Sequence, residues 1–194
     1  CLARTHALSV AGDAMFTAAM AGLVFFNVTK LDQARWQVGA ALLFTIVPLS
    51  LAAPFLGPLI DGARGGRKWM IFGLCIARAV VCFLLVLDRD NQLLMYPQFT
   101  LVLVFSQGYV LARGALVPAT VRNDAELVES NSKLAAISGV SAVAGGAASI
   151  SIMWVVSKFG TDRGANVALF VASIVYLAAT VQAAQLPSVR VAAA

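Results

Sequence analysis

Three charged residues lie inside long apolar runs of the sequence: Asp13, Arg78 and Arg113. A charge at the centre of a membrane helix costs roughly 2.5–3.5 kcal/mol, so an ionisable residue there is a candidate for function. The carboxylate of Asp13 could carry a proton across the membrane, or it could form an ion pair with Arg78. Arg113 lies near the end of its run, where a long side chain can reach the membrane surface.

The stretch GPLIDGARGGRKWMI, residues 57–71, is hydrophilic, and it separates two apolar runs. Its acid, Asp61, could contact nearby bases or the positive end of a neighbouring helix. The alternative is a basic loop that only fixes orientation in the membrane. We favour a contact made by Asp61, because orientation requires bases but not an acid. The candidate residues for this contact are Gly57, Asp61, Gly66, Arg67, Lys68 and Arg113.

Two further groups of residues could contact a solute or a neighbouring helix. Gln107 and Tyr109 form a polar cluster within an apolar run, and a solute in the membrane could touch them. A second group has small side chains about one helical turn apart, a pattern typical of tight helix packing in lipid. Its members are Ser138, Gly139, Ala142, Gly145 and Gly146.

The composition indicates which elements position these residues. The 194 residues are 60% hydrophobic and 12% charged, whereas a soluble domain has about 25% charged residues. A membrane span needs roughly 20 apolar residues. Six runs reach that length, approximately at 7–28, 38–60, 69–87, 93–117, 134–156 and 165–184. We therefore predict an all-α membrane protein, with one domain of six transmembrane helices over residues 1–194.

The distribution of bases predicts the orientation of these spans. With the N-terminus inside, Lys and Arg are more numerous in the cytoplasmic segments than in the outer loops, as the positive-inside rule requires. The inner bases are Arg4, Arg64, Arg67, Lys68, Arg122, Lys133 and Arg190, and the outer ones are Lys30, Arg35, Arg89, Lys158 and Arg163. We expect a multi-pass protein of the plasma membrane with both termini in the cytoplasm.

Depth and helix capping follow from the same spans. At 1.5 Å per residue, Asp13 lies about 9 Å and Arg78 about 14 Å from the cytoplasmic helix ends. The two side chains would meet if the first and third spans adjoin. Asn123, with Glu126 three residues later, predicts a capped helix that starts near Asp124, well before the apolar run of the fifth span.

Several classes of function are disfavoured by the residues that the sequence lacks. One histidine and three cysteines show no spacing typical of metal ligands. The segment GARGG has no strand before it and lacks the Walker spacing, so a nucleotide site is not expected. We predict no cofactor, no metal, no enzymatic activity and no nucleic-acid partner. The pI near 9.5 fits loops that face anionic lipid.

The hydrophilic stretch resembles the loop signature of the major facilitator superfamily. That signature reads G-x-L-x-D, two residues, then G-R-K, between spans 2 and 3. Gly57, Leu59 and Asp61 match its first half, and the segment GRK at 66–68 matches the second, with four residues between the halves here. The stretches SVAGDAMF, ARGALVP and LVESNSKLAAISGVSAVAGGAAS are similar to the drug and macrolide exporter branch.

The resemblance implies a fold and a mechanism. The chain would be the N-terminal six-helix half of a twelve-span transporter, built from 3+3 inverted repeats. It would rock against a second half, from the same gene or a homodimer, and export a small amphipathic solute, with proton coupling as one option. In that family the loop acid contacts the second half and latches the outward-facing state. The resemblance therefore makes Asp61 and the residues grouped with it the candidate latch. Helices 1 and 4 line the cavity in that family.

A non-transporting membrane module of the same fold, acting as scaffold or assembly partner, is the alternative. Six further spans in the gene would favour transport, whereas a fused partner-binding domain would favour the module. Because the chain begins at Cys1 rather than at a methionine, we expect it to be a piece of a longer protein. The lipid bilayer is its expected partner in either case.

Overall fold

A computed structural model of the chain describes five α-helices. They are α1 (Leu2–Phe26), α2 (Arg67–Leu87), α3 (Gln92–Leu116), α4 (Asp124–Ser157) and α5 (Gly164–Ala184). The described residues are 2–26, 39, 43, 67–88, 91–118, 123–161 and 163–186. Most of the predicted second span therefore lies outside them, as do the loop residues Gly57, Asp61 and Gly66.

Four of these helices are long and apolar enough to cross a membrane, counting only the part of the chain that the structure describes. They are Lys68–Leu87, Leu94–Leu116, Asp124–Ser157 and Gly164–Ala184. These four helices coincide with the third to sixth predicted spans, so the expectation of an all-helical chain with membrane-spanning helices is confirmed. The count of six spans and the 3+3 repeat stay predictions, because α1, which corresponds to the first predicted span, is not among these four helices and most of the second span is not described.

Helix α5 lies at the centre of the described helices and packs against α1, α2 and α4. In addition, α1 packs against α4, and α2 packs against α3. The packed face of α5 consists largely of small side chains, which let helix backbones approach closely in lipid. The buried alanines of this face are Ala165, Ala168, Ala172, Ala179 and Ala183. Tyr176 is the largest residue on the same face, and it is fully buried.

Apolar side chains fill the bundle in two clusters, one on each side of the level of Arg78. Along α2, Cys75 belongs to the cluster that contains Ile71 and Tyr109. One turn later, Ala79 belongs to the other cluster, which contains Phe16 and Tyr176. Arg78 therefore lies where the two clusters meet, so its charge is surrounded by packed side chains rather than by solvent.

Helices α1 and α4 cross with their backbones in close contact at Gly145. A Cβ atom placed on this glycine would clash with the carbonyl oxygen of Ala11 and lie 2.8 Å from its Cα. One turn along, Ser149 Oγ donates a hydrogen bond of 3.0 Å to the carbonyl oxygen of Met15. The small side chains of α4 thus allow an approach that a larger residue at position 145 would prevent.

The structure places the small residues of the fifth predicted span on more than one side of α4. Gly145 is buried, and Ser138 and Ala142 are half-buried. A Cβ atom on Gly139 or Gly146 would meet nothing within 4 Å. In the described residues the contact with α1 therefore uses Gly145, and the neighbouring glycines 139 and 146 lie on open faces.

The start of α4 agrees with the capping prediction, which is confirmed. Asn123 has extended backbone angles, and its side-chain oxygen accepts a hydrogen bond of 2.8 Å from the backbone N–H of Glu126. Asp124 and Glu126 lie in the first turn, where negative charge interacts favourably with the helix dipole. The helix continues without a break to Ser157. The chain then reverses through Gly160, whose φ of 68° is favourable only for glycine.

Candidate intramembrane charge site

The structure brings Asp13 of α1 and Arg78 of α2 together. Arg78 Nη1 lies 2.9 Å from Asp13 Oδ1. The guanidinium is 0% exposed, whereas the side chain of Asp13 is 30% exposed. The pair therefore presents its carboxylate outward and keeps its cation inside the bundle.

The same carboxylate oxygen is bound by side chains from two further helices. Ser106 of α3 donates a hydrogen bond of 2.7 Å to Asp13 Oδ1, and the hydroxyl of Tyr176 of α5 donates another of 2.7 Å. Hydrogen bonds to a charged acceptor are about twice as strong as neutral ones. Asp13 Oδ1 thus joins α1, α2, α3 and α5 at one point.

The remaining donors of Arg78 also have acceptors. Its Nη2 donates to Ser9 Oγ at 2.9 Å and to Cys75 Sγ at 3.4 Å. Its Nε donates to the carbonyl oxygen of Leu74 at 3.3 Å. Because a buried cation is destabilising unless its donors are satisfied, these contacts explain how a guanidinium is accommodated in an apolar bundle.

Two tyrosine rings provide further stabilisation for this cation. The Cζ atom of Arg78 lies 4.8 Å from the ring centroid of Tyr109 and 4.8 Å from that of Tyr176. Both rings are buried, and cation–π attraction is strongest where water is excluded. Tyr109, a predicted solute contact, therefore packs against Arg78 in this structure, while Gln107 is exposed on the neighbouring part of α3.

Arg113 forms a second polar contact, nearer the predicted cytoplasmic end. Its Nη1 lies 2.7 Å from Nε2 of His6. Because a guanidinium only donates hydrogen bonds, Nε2 is the accepting nitrogen and the imidazole is neutral. Ser138 Oγ lies 2.6 Å from the same Nε2, and the hydroxyl of Tyr109 lies 3.4 Å from His6 Nδ1. This cluster joins α1, α3 and α4.

The predicted latch residues are only partly described. Gly57, Asp61 and Gly66 lie outside the described residues, so the expected contact of Asp61 with Arg113 stays a prediction. The two bases of the loop, Arg67 and Lys68, begin α2, and Lys68 Nζ lies 5.8 Å from the ring centroid of Trp69.

In the part of the chain that the structure describes, no group of three His, Cys, Asp or Glu side chains could hold a metal ion.

Four residues of these two clusters were not predicted from the sequence, namely His6, Ser9, Ser106 and Tyr176. Serines are common in membrane helices, where they often bond to their own backbone, so Ser9 and Ser106 gave no distinct signal. Tyr176 did offer one. It lies in the middle of an apolar span, whereas tyrosines of membrane proteins are enriched at the two interfaces.

Curated proteins with similar sequences come from mycobacteria. An uncharacterised MFS-type transporter of Mycobacterium bovis is 29% identical over 181 residues, which are 89% of this chain and 38% of the relative. The chain is similar to a transporter of the major facilitator type. An uncharacterised protein of Mycobacterium tuberculosis is 28% identical over 185 residues, 90% of this chain and 32% of the relative. An uncharacterised protein of Mycobacterium leprae is 25% identical over 182 residues, which are 90% of this chain and 31% of the relative.

These comparisons show similarity to MFS-type transporters and do not identify a substrate or a branch of that family. No family model matches the chain, and no solved structure matches it. The chain spans about a third of the length of the curated relatives it matches (31% to 38%). Together with the apolar helices, the similarity to MFS-type transporters indicates a multi-pass membrane protein.

Proposed function

We propose that this chain forms one six-helix half of a secondary active transporter that exports small amphipathic solutes by alternating access. The observation on which the proposal depends is Arg78, a fully buried cation on a helix apolar enough to span a membrane, which is paired with Asp13 of α1. Charged groups in such places are costly, and in membrane proteins they pair with one another and occur in the interior of transporters and channels. The similarity to MFS-type transporters supports the same class.

The packing of the helices supports a 3+3 inverted repeat. In such a repeat the first span corresponds to the fourth and the third to the sixth. In the helix labels used here, the first span is α1, the third is α2, the fourth is α3 and the sixth is α5. If α1 packs against α5, the repeat therefore predicts that α3 packs against α2. Both contacts are present. The contact between α2 and α5 is compatible with the same symmetry, which maps it onto itself.

Within this proposal, Asp13 and Arg78 form a fixed pair that holds four helices in register. Proton coupling through Asp13 is the competing role. The fixed pair is favoured because Asp13 Oδ1 already accepts hydrogen bonds from Arg78, Ser106 and Tyr176. Protonation would weaken all three contacts at once, because each is strengthened by the charge on the acceptor.

Flux measurements in vesicles test the proposal directly. The chain would be reconstituted alone and with its second six-helix half, and a panel of fluorescent amphipathic dyes would be followed with and without a proton gradient. We expect gradient-driven flux only when both halves are present. A complex that folds and inserts but moves no dye under any gradient would favour the scaffold alternative. Flux by the monomeric chain alone would contradict its assignment as a half.

The proposed orientation has both termini in the cytoplasm, and cysteine labelling tests it. In a variant without the native cysteines, single cysteines at Asp32, Asp90 and Asp162 should react with a membrane-impermeant maleimide in intact cells. These three positions lie outside the described residues. A cysteine at Lys133 serves as the inner control and should react only after permeabilisation. The reverse pattern of labelling would show that the chain is inserted the other way.

The proposed latch predicts a specific effect of Asp61→Asn. If Asp61 stabilises one conformation of the transporter, this change should alter the rate of flux while expression and membrane insertion stay normal. The matched control is the double change Arg67→Gln and Lys68→Gln, which removes positive charge and should disturb topology instead. Flux of Asp61→Asn equal to that of the parent protein would support a loop that only sets orientation.

A further inference from the structure

A groove of about 600 Å³ lies where α1 approaches the turn between α4 and α5. Its volume falls within the range of about 300–1,000 Å³ that is usual for ligand sites. All three of these helices contribute to its walls. The residues that line it include Ala18, Ala21, Gly22, Ile150, Met153 and Trp154.

The groove exists because small residues face each other across it. On one side α1 offers Ala18, Ala21 and Gly22, and on the other α5 begins with the lining residues Gly164 and Ala165. Between them Met153 is the long flexible side chain, and its Sδ atom lies 2.7 Å from where a Cβ on Gly22 would be. Methionine adapts its shape to irregular apolar neighbours, so the floor of the groove can adjust to a flexible hydrocarbon chain.

One end of the groove is marked as a membrane interface. Trp154 is 62% exposed, and Lys158 Nζ lies 4.6 Å from its ring centroid. Just beyond them α4 ends, and the chain turns at Gly160. Tryptophan and lysine at a helix end are typical of the headgroup level of a bilayer, where the indole is half in lipid and the ammonium is in water.

We propose that this groove binds an anionic phospholipid of the surrounding bilayer. One acyl chain lies against Ala18, Ala21 and Gly22, and the phosphate lies beside Lys158. Phosphate oxygens accept strong charge-assisted hydrogen bonds from an ammonium group. The site requires no transport activity, so it is independent of the proposed function.

The charge near the groove and the opening at its side both support an anionic phospholipid as its ligand. The sequence segment 158–163, of which the structure describes every residue except Asp162, contains two bases, Lys158 and Arg163, and this one acid, for a net charge of +1. The groove is open at its side, where Ile150 and Trp154 are 60% and 62% exposed. A lipid can therefore enter from the bilayer without passing through water, and its headgroup meets a positive turn.

Quenching of Trp154 fluorescence by brominated lipids tests the site. The sequence has three tryptophans, so Trp36→Phe and Trp69→Phe leave Trp154 as the reporter. The protein would be placed in phosphatidylcholine vesicles in which a growing fraction is brominated phosphatidylglycerol or brominated phosphatidylcholine. We expect half-maximal quenching at an about five-fold lower fraction of the anionic lipid, as one lysine near an anionic headgroup predicts. Equal fractions for the two lipids would overturn the proposal.

Three variants in this reporter protein separate the parts of the site. Lys158→Gln should abolish the preference for the anionic lipid. Lys133→Gln, the control, changes an exposed lysine near the other end of α4 and should leave the preference intact. Ala21→Leu fills the groove and should weaken quenching by both lipids. A preference that survives Lys158→Gln, or quenching unaffected by Ala21→Leu in a protein with unchanged helical content, would also overturn the proposal.

Discussion

Asp13→Asn is expected to reduce the yield of folded protein sharply, because it leaves the fully buried Arg78 without its counter-ion. Removing one partner of a buried pair costs about 3–5 kcal/mol. Arg78→Gln should cost less than Asp13→Asn, since the carboxylate that it leaves unpaired is 30% exposed. The double change should recover part of the loss, because no charge is then left unpaired. Yield after size-exclusion chromatography and the thermal unfolding midpoint in detergent would measure all three.

An exposed ion pair on α4 offers the matched control for this experiment. Lys133 Nζ lies 2.6 Å from Glu129 Oε1, and their side chains are 70% and 64% exposed. Exposed pairs of this kind contribute little to stability, so Lys133→Gln and Glu129→Gln should leave the yield nearly unchanged. The proton-carrier hypothesis predicts a different pattern. Asp13→Asn would then fold normally and lose proton-driven flux, and adding Arg78→Gln would restore nothing.

Gly145→Ala and Gly146→Ala are expected to change stability in opposite directions, although the two glycines are adjacent. At position 145 the added methyl would press on the backbone of Ala11. Because backbone atoms cannot rotate away as a side chain can, the helices would have to separate, at a cost of about 1–3 kcal/mol or more. At position 146 nothing lies within 4 Å of the added atom, so replacing glycine in a helix should gain about 0.5–1 kcal/mol.

Thermal unfolding of the two variants in the same detergent would measure this difference. Gly139→Ala is a second control, since its Cβ would also meet nothing within 4 Å. A midpoint for Gly145→Ala equal to or above that of the parent protein would show that α1 and α4 do not cross at this glycine.

Four of the apolar runs in the sequence coincide with described helices, and residue counting placed Asp13 and Arg78 near one level, where the structure has them in contact. The sequence could not indicate which face of α4 meets α1. Successive residues of a helix are about 100° apart, so Gly145 and Gly146 belong to different faces that are equally rich in small residues. Only the position of the neighbouring helix distinguishes them, and that position depends on contacts throughout the bundle.

The partners of the charged residues were harder to predict for a related reason. Arg113 was one of several bases that Asp61 could contact, and that contact stays a prediction because Asp61 lies outside the described residues. Nothing in the sequence indicated that the guanidinium of Arg113 donates to His6. Tyr176 contacts Asp13 across 163 positions of the chain. Such contacts arise from long-range helix packing, and a single hydroxyl in a span gives no sign of its direction. The position of a residue along a helix follows from counting residues. The neighbouring helix that its side chain faces does not.

The length of α4 has a mechanical consequence. Its 34 residues form a rod of about 51 Å at 1.5 Å per residue, whereas the hydrocarbon core of a bilayer is about 30 Å thick. The sequence of the helix contains no proline, the usual cause of a sharp kink. If α4 pivots at its close contact with α1, Asp124 lies about 30 Å from the fulcrum, 21 residues away. A tilt of about 10° would then swing that tip by roughly 5 Å, so the helix would act as a lever arm that magnifies a small rearrangement in the membrane.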